Sequence, residues 1–207
     1  MKIRQKIWFV LLLTTFSNVY GDTCTKYQDF DDCLLKAKQG DISVYSAIGW
    51  HYYKGTKVLQ NYKEAFKWYR KAVFLRPSPI SALSVGHMFL TGKGVSQNPR
   101  TGFKWIKAAA DTGYLDAQYL LGLTYSSGQG TLQNYVMAHM YFNLASIASL
   151  GTDKSRKEAI EFRNTITRQM TPSQIAEAQK LAESWRVDYQ QFDKFIELES
   201  KKPISFD

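Results

Sequence analysis

The sequence predicts an all-α fold, a right-handed α-solenoid of helix-turn-helix repeats closed by a C-terminal helical cap. Three observations predict it. First, a pattern of small and aromatic residues recurs along the chain. Gly49, Tyr52, Gly55, Val58, Asn61, Ala65, Phe66, Trp68 and Ala72 return as Gly86, Phe89, Gly92, Val95, Asn98, Gly102, Phe103, Trp105 and Ala109. They return again as Gly122, Tyr125, Gly128, Thr131, Asn134, Ala138, His139, Tyr141 and Ala145. The intervals are 37 and 36 residues, a period typical of stacked supersecondary units that cannot bury their apolar faces alone. Second, Asn and Gly punctuate each copy where helices must start and stop. Third, the residues between them are apolar at helical spacing.

Taken in order, the chain begins with Lys2, Arg4 and Lys6, then an apolar run from Ile7 to Thr15, then Val19 and Gly21. A basic start, a short apolar stretch and a small residue form the pattern of a secretory signal peptide over residues 1–21. The apolar run is much shorter than the roughly 18–20 residues a membrane-spanning helix requires. An uncleaved anchor helix is the alternative. This reading places the protein in the periplasm or outside the cell.

Residues 22–42 are expected to form an N-terminal cap helix carrying Cys24 and Cys33, the two cysteines of the chain. On one continuous helix that separation would span about 13.5 Å, too far for a disulfide. A bridge therefore requires Cys24 to leave the helix and fold back, with Asp29, Asp31 or Asp32 capping a helix that starts later. Export into an oxidising compartment favours the bridge; two free thiols are the alternative. The sequence has no further Cys/His cluster, so neither a metal nor a cofactor is expected.

Three repeats occupy residues 43–150. Helix A of each runs over 44–54, 79–91 and 115–126, and helix B over 62–75, 99–111 and 135–149. Asn61, Asn98 and Asn134 are the N-caps of the B helices. Glu64 completes a capping-box-like pair with Asn61, and Pro99 suits a first helical position. Gly55, Gly92 and Gly128 end the A helices. Gly94 and Gly130 add a second turn glycine in two of the loops. Gly49, Gly86 and Gly122 lie inside helix A, where each costs about 1 kcal/mol against Ala. Three such losses at one repeat position imply a shared packing reason. Facing Ala65, Gly102 and Ala138, and Ala72, Ala109 and Ala145, suggest close approach of two helices, small against small. Trp68, Trp105 and Tyr141 are expected to wedge between successive pairs.

The segments Ala117-Gln118-Tyr119-Leu120-Leu121-Gly122-Leu123-Thr124-Tyr125 and Gly102-Phe103-Lys104-Trp105-Ile106-Lys107-Ala108-Ala109 closely resemble the Sel1-like repeat, a relative of the tetratricopeptide repeat. Residues 138–185 resemble the C-terminal end of bacterial exported members. The resemblance covers most of residues 36–187. Two positions depart from it. Arg76, followed by Pro77 and Pro79, replaces the glycine expected after the first helix B, and the first repeat lacks the second turn glycine.

Beyond the repeats, residues 151–189 read as capping helices. Lys154 to Met170 forms one, with Ala159, Phe162 and Ile166 on one face. Thr171-Pro172-Ser173-Gln174 starts the next. Residues 190–207 are a tail that either extends the last helix or is loose.

The surface must carry function. A stripe expected on the far side of helix A holds Ser46, Trp50 and Tyr53, then Leu83, His87 and Leu90, then Tyr119, Leu123 and Ser126. The resemblance implies that such a stripe lines a concave groove binding a protein or peptide, as adaptor and host-interaction members do. An apolar and aromatic stripe suits that role, although core covered by the chain itself gives the same pattern. Lys63, Lys67, Arg70, Lys71, Arg100, Lys104 and Lys107 form a basic helix B face, either attractive to an anionic surface or simply solvated. Despite a formal charge of +9, nucleic acid is not the expected target after export. His51, His87 and His139 occupy different repeat positions, and no HExxH or G-x-S-x-G motif is present. An adaptor, not an enzyme, is therefore the expected function. The alternatives are a cell-envelope hydrolase or antibiotic-binding protein of the β-lactamase-like branch, and a purely structural periplasmic protein. That branch carries a cysteine pair in each repeat, which this chain does not.

Overall fold

A computed structural model describes Cys24 and residues 30–148 and 152–203. The predicted signal peptide lies outside the described residues. Every element described is helical. Helix α1 spans Phe30–Lys38 and leads through a short 3-10 turn, Ile42–Val44, into the repeats. The first repeat is α2 (Tyr45–Lys54) and α3 (Tyr62–Leu75), the second α4 (Pro79–Thr91) and α5 (Pro99–Asp111), and the third α6 (Leu115–Ser127) and α7 (Tyr135–Ile147). Helices α8 (Asp153–Thr167), α9 (Pro172–Ser184) and α10 (Tyr189–Ser200) follow. None is long and apolar enough to cross a membrane.

The asparagines cap as the local pattern predicts, and each also closes its loop. Asn61, Asn98 and Asn134 accept through the side chain from the amides of Glu64, Thr101 and Met137. Their own amides donate to the carbonyls of Tyr52, Phe89 and Tyr125, each at 2.9 Å. One residue type thus satisfies an orphan donor of helix B and an acceptor near the end of helix A. Glu64 does not complete a capping box; its carboxylate pairs with Lys67 at 2.7 Å. The full capping box is at α9, where Thr171 and Gln174 exchange bonds.

Each internal glycine faces helix B of its own repeat, but the contact differs from small against small. A Cβ on Gly49 would lie 3.0 Å from the Tyr69 ring, and one on Gly122 would lie 2.6 Å from the Phe142 ring. A large ring fills the hollow that the glycine leaves. Only in the second repeat does glycine meet glycine, with Gly86 against the Gly102 carbonyl and the Trp105 and Ile106 side chains.

The three wedge positions behave differently. Trp105 and Tyr141 are buried. Trp105 touches Phe74 of the preceding repeat, and Tyr141 stacks on Tyr125 and donates to Asp111 of the preceding repeat. Trp68, with no repeat before it, packs instead with Tyr45 at the edge of the N-terminal cluster. In that cluster Cys24 is bonded to Cys33, their Cα atoms 5.8 Å apart. Both are buried with Phe30, Val44 and Ile48.

The inter-repeat turns also differ. After α3 the chain turns extended at Arg76 (φ −144°) and enters α4 through Pro79. After α5 it uses Gly113 at φ 83°. The missing glycine at Arg76 therefore corresponds to a different backbone path.

At the C-terminal end α8 covers α7 and α6, and α9 lies on α7. The chain breaks at Trp185, whose ψ of 142° is extended, and α10 runs back over the B helices α5 and α3. The Asp188 amide donates to the Asp111 carbonyl at 2.9 Å. Phe192 and Ile196 are buried, and Phe195 sets its ring edge against Trp105 at 5.1 Å. The tail is thus a docked helix for most of its length.

Candidate functional site

The helix A stripe is the predicted binding surface, and helical geometry explains where its residues go. Four residues advance about 400°, so the position four after the glycine sits only about 40° from it. That position therefore shares the glycine's face and does not lie on the far side of the helix. Leu90 shows this directly, since its side chain lies against Gly102 of helix B. Leu83, Leu90, Tyr119, Tyr53 and His87 are all buried. Tyr119 packs against both Phe142 and Phe162, which stack on each other. Ser46 bonds Ser81 of the next repeat at 2.7 Å. Ser46 with Ser81 and Tyr53 with His87 lie in the seam between repeats, while Leu90 packs within its own repeat and Tyr119 within its own repeat and against α8. Trp50 and Leu123 keep partial exposure. They are what the predicted set leaves within reach of a partner.

Helix α10 does not cover this stripe. It lies on the opposite helices, across part of the basic face. Arg70 lies over the Phe74 ring and donates to the Lys202 carbonyl at 3.0 Å. Lys71 rests over Trp68. Lys63, Lys67 and Lys104 remain exposed.

The three histidines are brought to separate places. His51 pairs with the Thr56 hydroxyl at 2.7 Å and touches the Phe30 and Trp50 rings. Burial, then Lys57, lowers its pKa to about 4. His87 lies near Tyr53, its pKa lowered to about 3 by burial and then by Lys93. Burial and Arg163 also lower His139. All three are neutral at pH 7, and the hydroxyl beside His51 is that of Thr56. No metal-holding group of three His, Cys, Asp or Glu occurs among the described residues.

Sequence reasoning missed one surface cluster. Lys93, in the loop after α4, donates from Nζ to the Tyr53 hydroxyl at 2.9 Å. Its ammonium lies over the Tyr53 and Tyr62 rings at 5.1 and 5.0 Å. Lys54, one residue after Tyr53, feels the charge of Lys93. The cluster joins two repeats, so no local motif announces it. The signal that was available is the lysine beside each of two loop glycines, Gly55 and Gly92.

The Sel1 repeat profile matches residues 44–73, 79–114 and 115–150. A solved Sel1 repeat protein from Oxalobacter formigenes is similar at 30% identity, with 63% of this chain and 96% of that one aligned and a TM-score of 0.50. The chain belongs to the Sel1 repeat family. Another solved structure is a protective antigen of uropathogenic Escherichia coli strains with the same fold, at 26% identity and a TM-score of 0.65. That alignment covers 84% of this Sel1 repeat protein, which spans 35% of the antigen chain. No curated protein matches. Sel1 repeat proteins are in general protein-interaction scaffolds, and the fold is typically non-catalytic.

Proposed function

We propose that this Sel1 repeat protein is an exported scaffold that binds a protein or peptide on its helix A side. Trp50 carries the reading. It is a partly exposed aromatic on the first helix A, and its neighbours along the stripe are locked into the seam behind it. Tyr53 and His87 then hold the contact surface in place, while Leu123 offers a second apolar contact in the third repeat. Large aromatics at partly open positions of a rigid frame are frequent binding anchors.

Export is supported by the pattern of residues 1–21 and by the Cys24–Cys33 bond, since disulfides persist in oxidising compartments. We place the mature chain in the periplasm or outside the cell. The likeness to a protective antigen agrees with a role at the host interface.

The test is capture of partners from envelope extract by the mature chain and by Trp50→Ala. Capture lost with helicity unchanged supports the scaffold reading. Unaltered capture by Trp50→Ala removes its basis. Mass spectrometry of the chain purified from cell fractions tests export, with cleavage after Gly21 the expected result.

A further inference from the structure

Lys54 and Lys93 are two cations at the junction of the first and second repeats, and no carboxylate of the described residues answers them. No carboxylate among the described residues lies within ion-pair distance of either. Lys93 takes a neutral partner instead, the hydroxyl of Tyr53. Burial raises the pKa of that phenol above its ordinary value, so it supplies no negative charge. The ring faces of Tyr53 and Tyr62 fix the ammonium in place. Both lysines are only partly exposed. Burial and the charge of Lys93 both disfavour the ammonium form of Lys54. A held ammonium with a second cation near it and no counter-ion costs free energy, and an arriving anion relieves that cost.

Position adds the second element. Lys54 is four residues after Trp50, so the two share a face of α2 about one helical turn apart. We propose that the Lys54–Lys93 pair receives a carboxylate, an acidic side chain of the bound partner, beside an apolar group seated on Trp50. This deepens the scaffold reading and rests on it for the identity of the partner as a protein. The carboxylate site itself is a property of the free chain.

An NMR titration of the lysine side-chain CH2 signals tests the site on the mature full-length chain. The probes are blocked tetraglutamate, blocked tetraglutamine and inorganic phosphate, at matched ionic strength. Tetraglutamate is expected to shift Lys54 and Lys93 saturably, and tetraglutamine to shift neither. Lys93→Met and Lys54→Met each weaken tetraglutamate binding by about tenfold or more, while Lys104→Met, at an exposed position of α5, leaves it unchanged. Absence of a saturable shift in the unsubstituted chain overturns the proposal, and that arm needs no variant to fold. Equal weakening by Lys104→Met overturns it in favour of diffuse charge. Binding of phosphate without tetraglutamate overturns the carboxylate assignment. The two readings separate cleanly: tetraglutamate binding without any Trp50-dependent capture sinks the scaffold alone, and Trp50-dependent capture without tetraglutamate binding sinks this site alone.

Discussion

Gly130 lies against the carbonyl of Pro99 so closely that a Cβ there would overlap the oxygen, far inside the 3.0 Å that real Cβ atoms respect. Gly94 meets the Tyr62 carbonyl in the same way one repeat earlier. Each second turn glycine is therefore the point where one repeat's loop rests on the start of the previous helix B. Both also have left-handed φ, 74° at Gly94 and 80° at Gly130. Lys57 holds the equivalent place in the first repeat, which has no repeat before it to touch. Gly130→Ala is expected to destabilise the chain by about 2–4 kcal/mol. Lys57→Gly should change stability by less than about 1 kcal/mol. Urea denaturation of both variants checks the contrast.

Gly122→Ala sets two effects against each other. Helix propensity favours Ala by about 1 kcal/mol. Overpacking against the Phe142 ring, 2.6 Å from the added carbon, costs about 1–3 kcal/mol. The net expectation is destabilisation, and Phe142→Leu in the same chain should recover part of it. A double-mutant cycle in urea measures the coupling.

Reducing the Cys24–Cys33 bond, which closes a sequence separation of 9, should cost about 2.5 kcal/mol by the chain-entropy relation. The loss should show first at the N-terminal cluster. Thermal melts with and without reductant measure the cost. A Cys24→Ser, Cys33→Ser chain insensitive to reductant is the control.

Acid should weaken the fold through its histidines. His51 and His87 have folded pKa values near 4 and 3, below the ordinary 6.5. Between those values and 6.5 the unfolded chain binds more protons than the folded one, so stability rises with pH there. It is intact above about pH 6.5 and falls steadily towards pH 4. One histidine kept neutral in the fold removes about 1.4 kcal/mol for each pH step down through that window. His87→Leu is expected to flatten the slope between pH 6.5 and 4, measured by urea midpoints.

Phe192→Ala in α10 removes a ring that is only 2% exposed and should cost about 3 kcal/mol. If α10 is integral to the array, unfolding stays a single transition. Two transitions by tryptophan fluorescence and circular dichroism would show that α10 detaches independently.

Legibility in the sequence follows the range of each interaction. Asn98 and Gly92 act within one loop, and their residue types alone declare a cap and a stop. The period from Gly49 to Gly122 declares the stack. Gly86 against Gly102 is legible, but the contacts opposite Gly49 and Gly122 are not, because Tyr69 and Phe142 reach them from positions that also suit an ordinary core. The stripe reads as open because its apolar content is the same for a groove and a seam. Only the turn angle of the helix moves Leu90 to the inner side. The Lys54–Lys93 pair and the return of α10 to Trp105 depend on residues brought together from separate repeats. Neither leaves a trace in any short window.

That return has a consequence for how such a chain can grow. An open stack tolerates an inserted hairpin anywhere, because each unit answers only to its neighbours. Here α10 reaches back across the second repeat to the first. Duplicating a hairpin between α5 and α6 would carry α10 out of register with Trp105, so the number of hairpins beneath α10 is set by its own contacts.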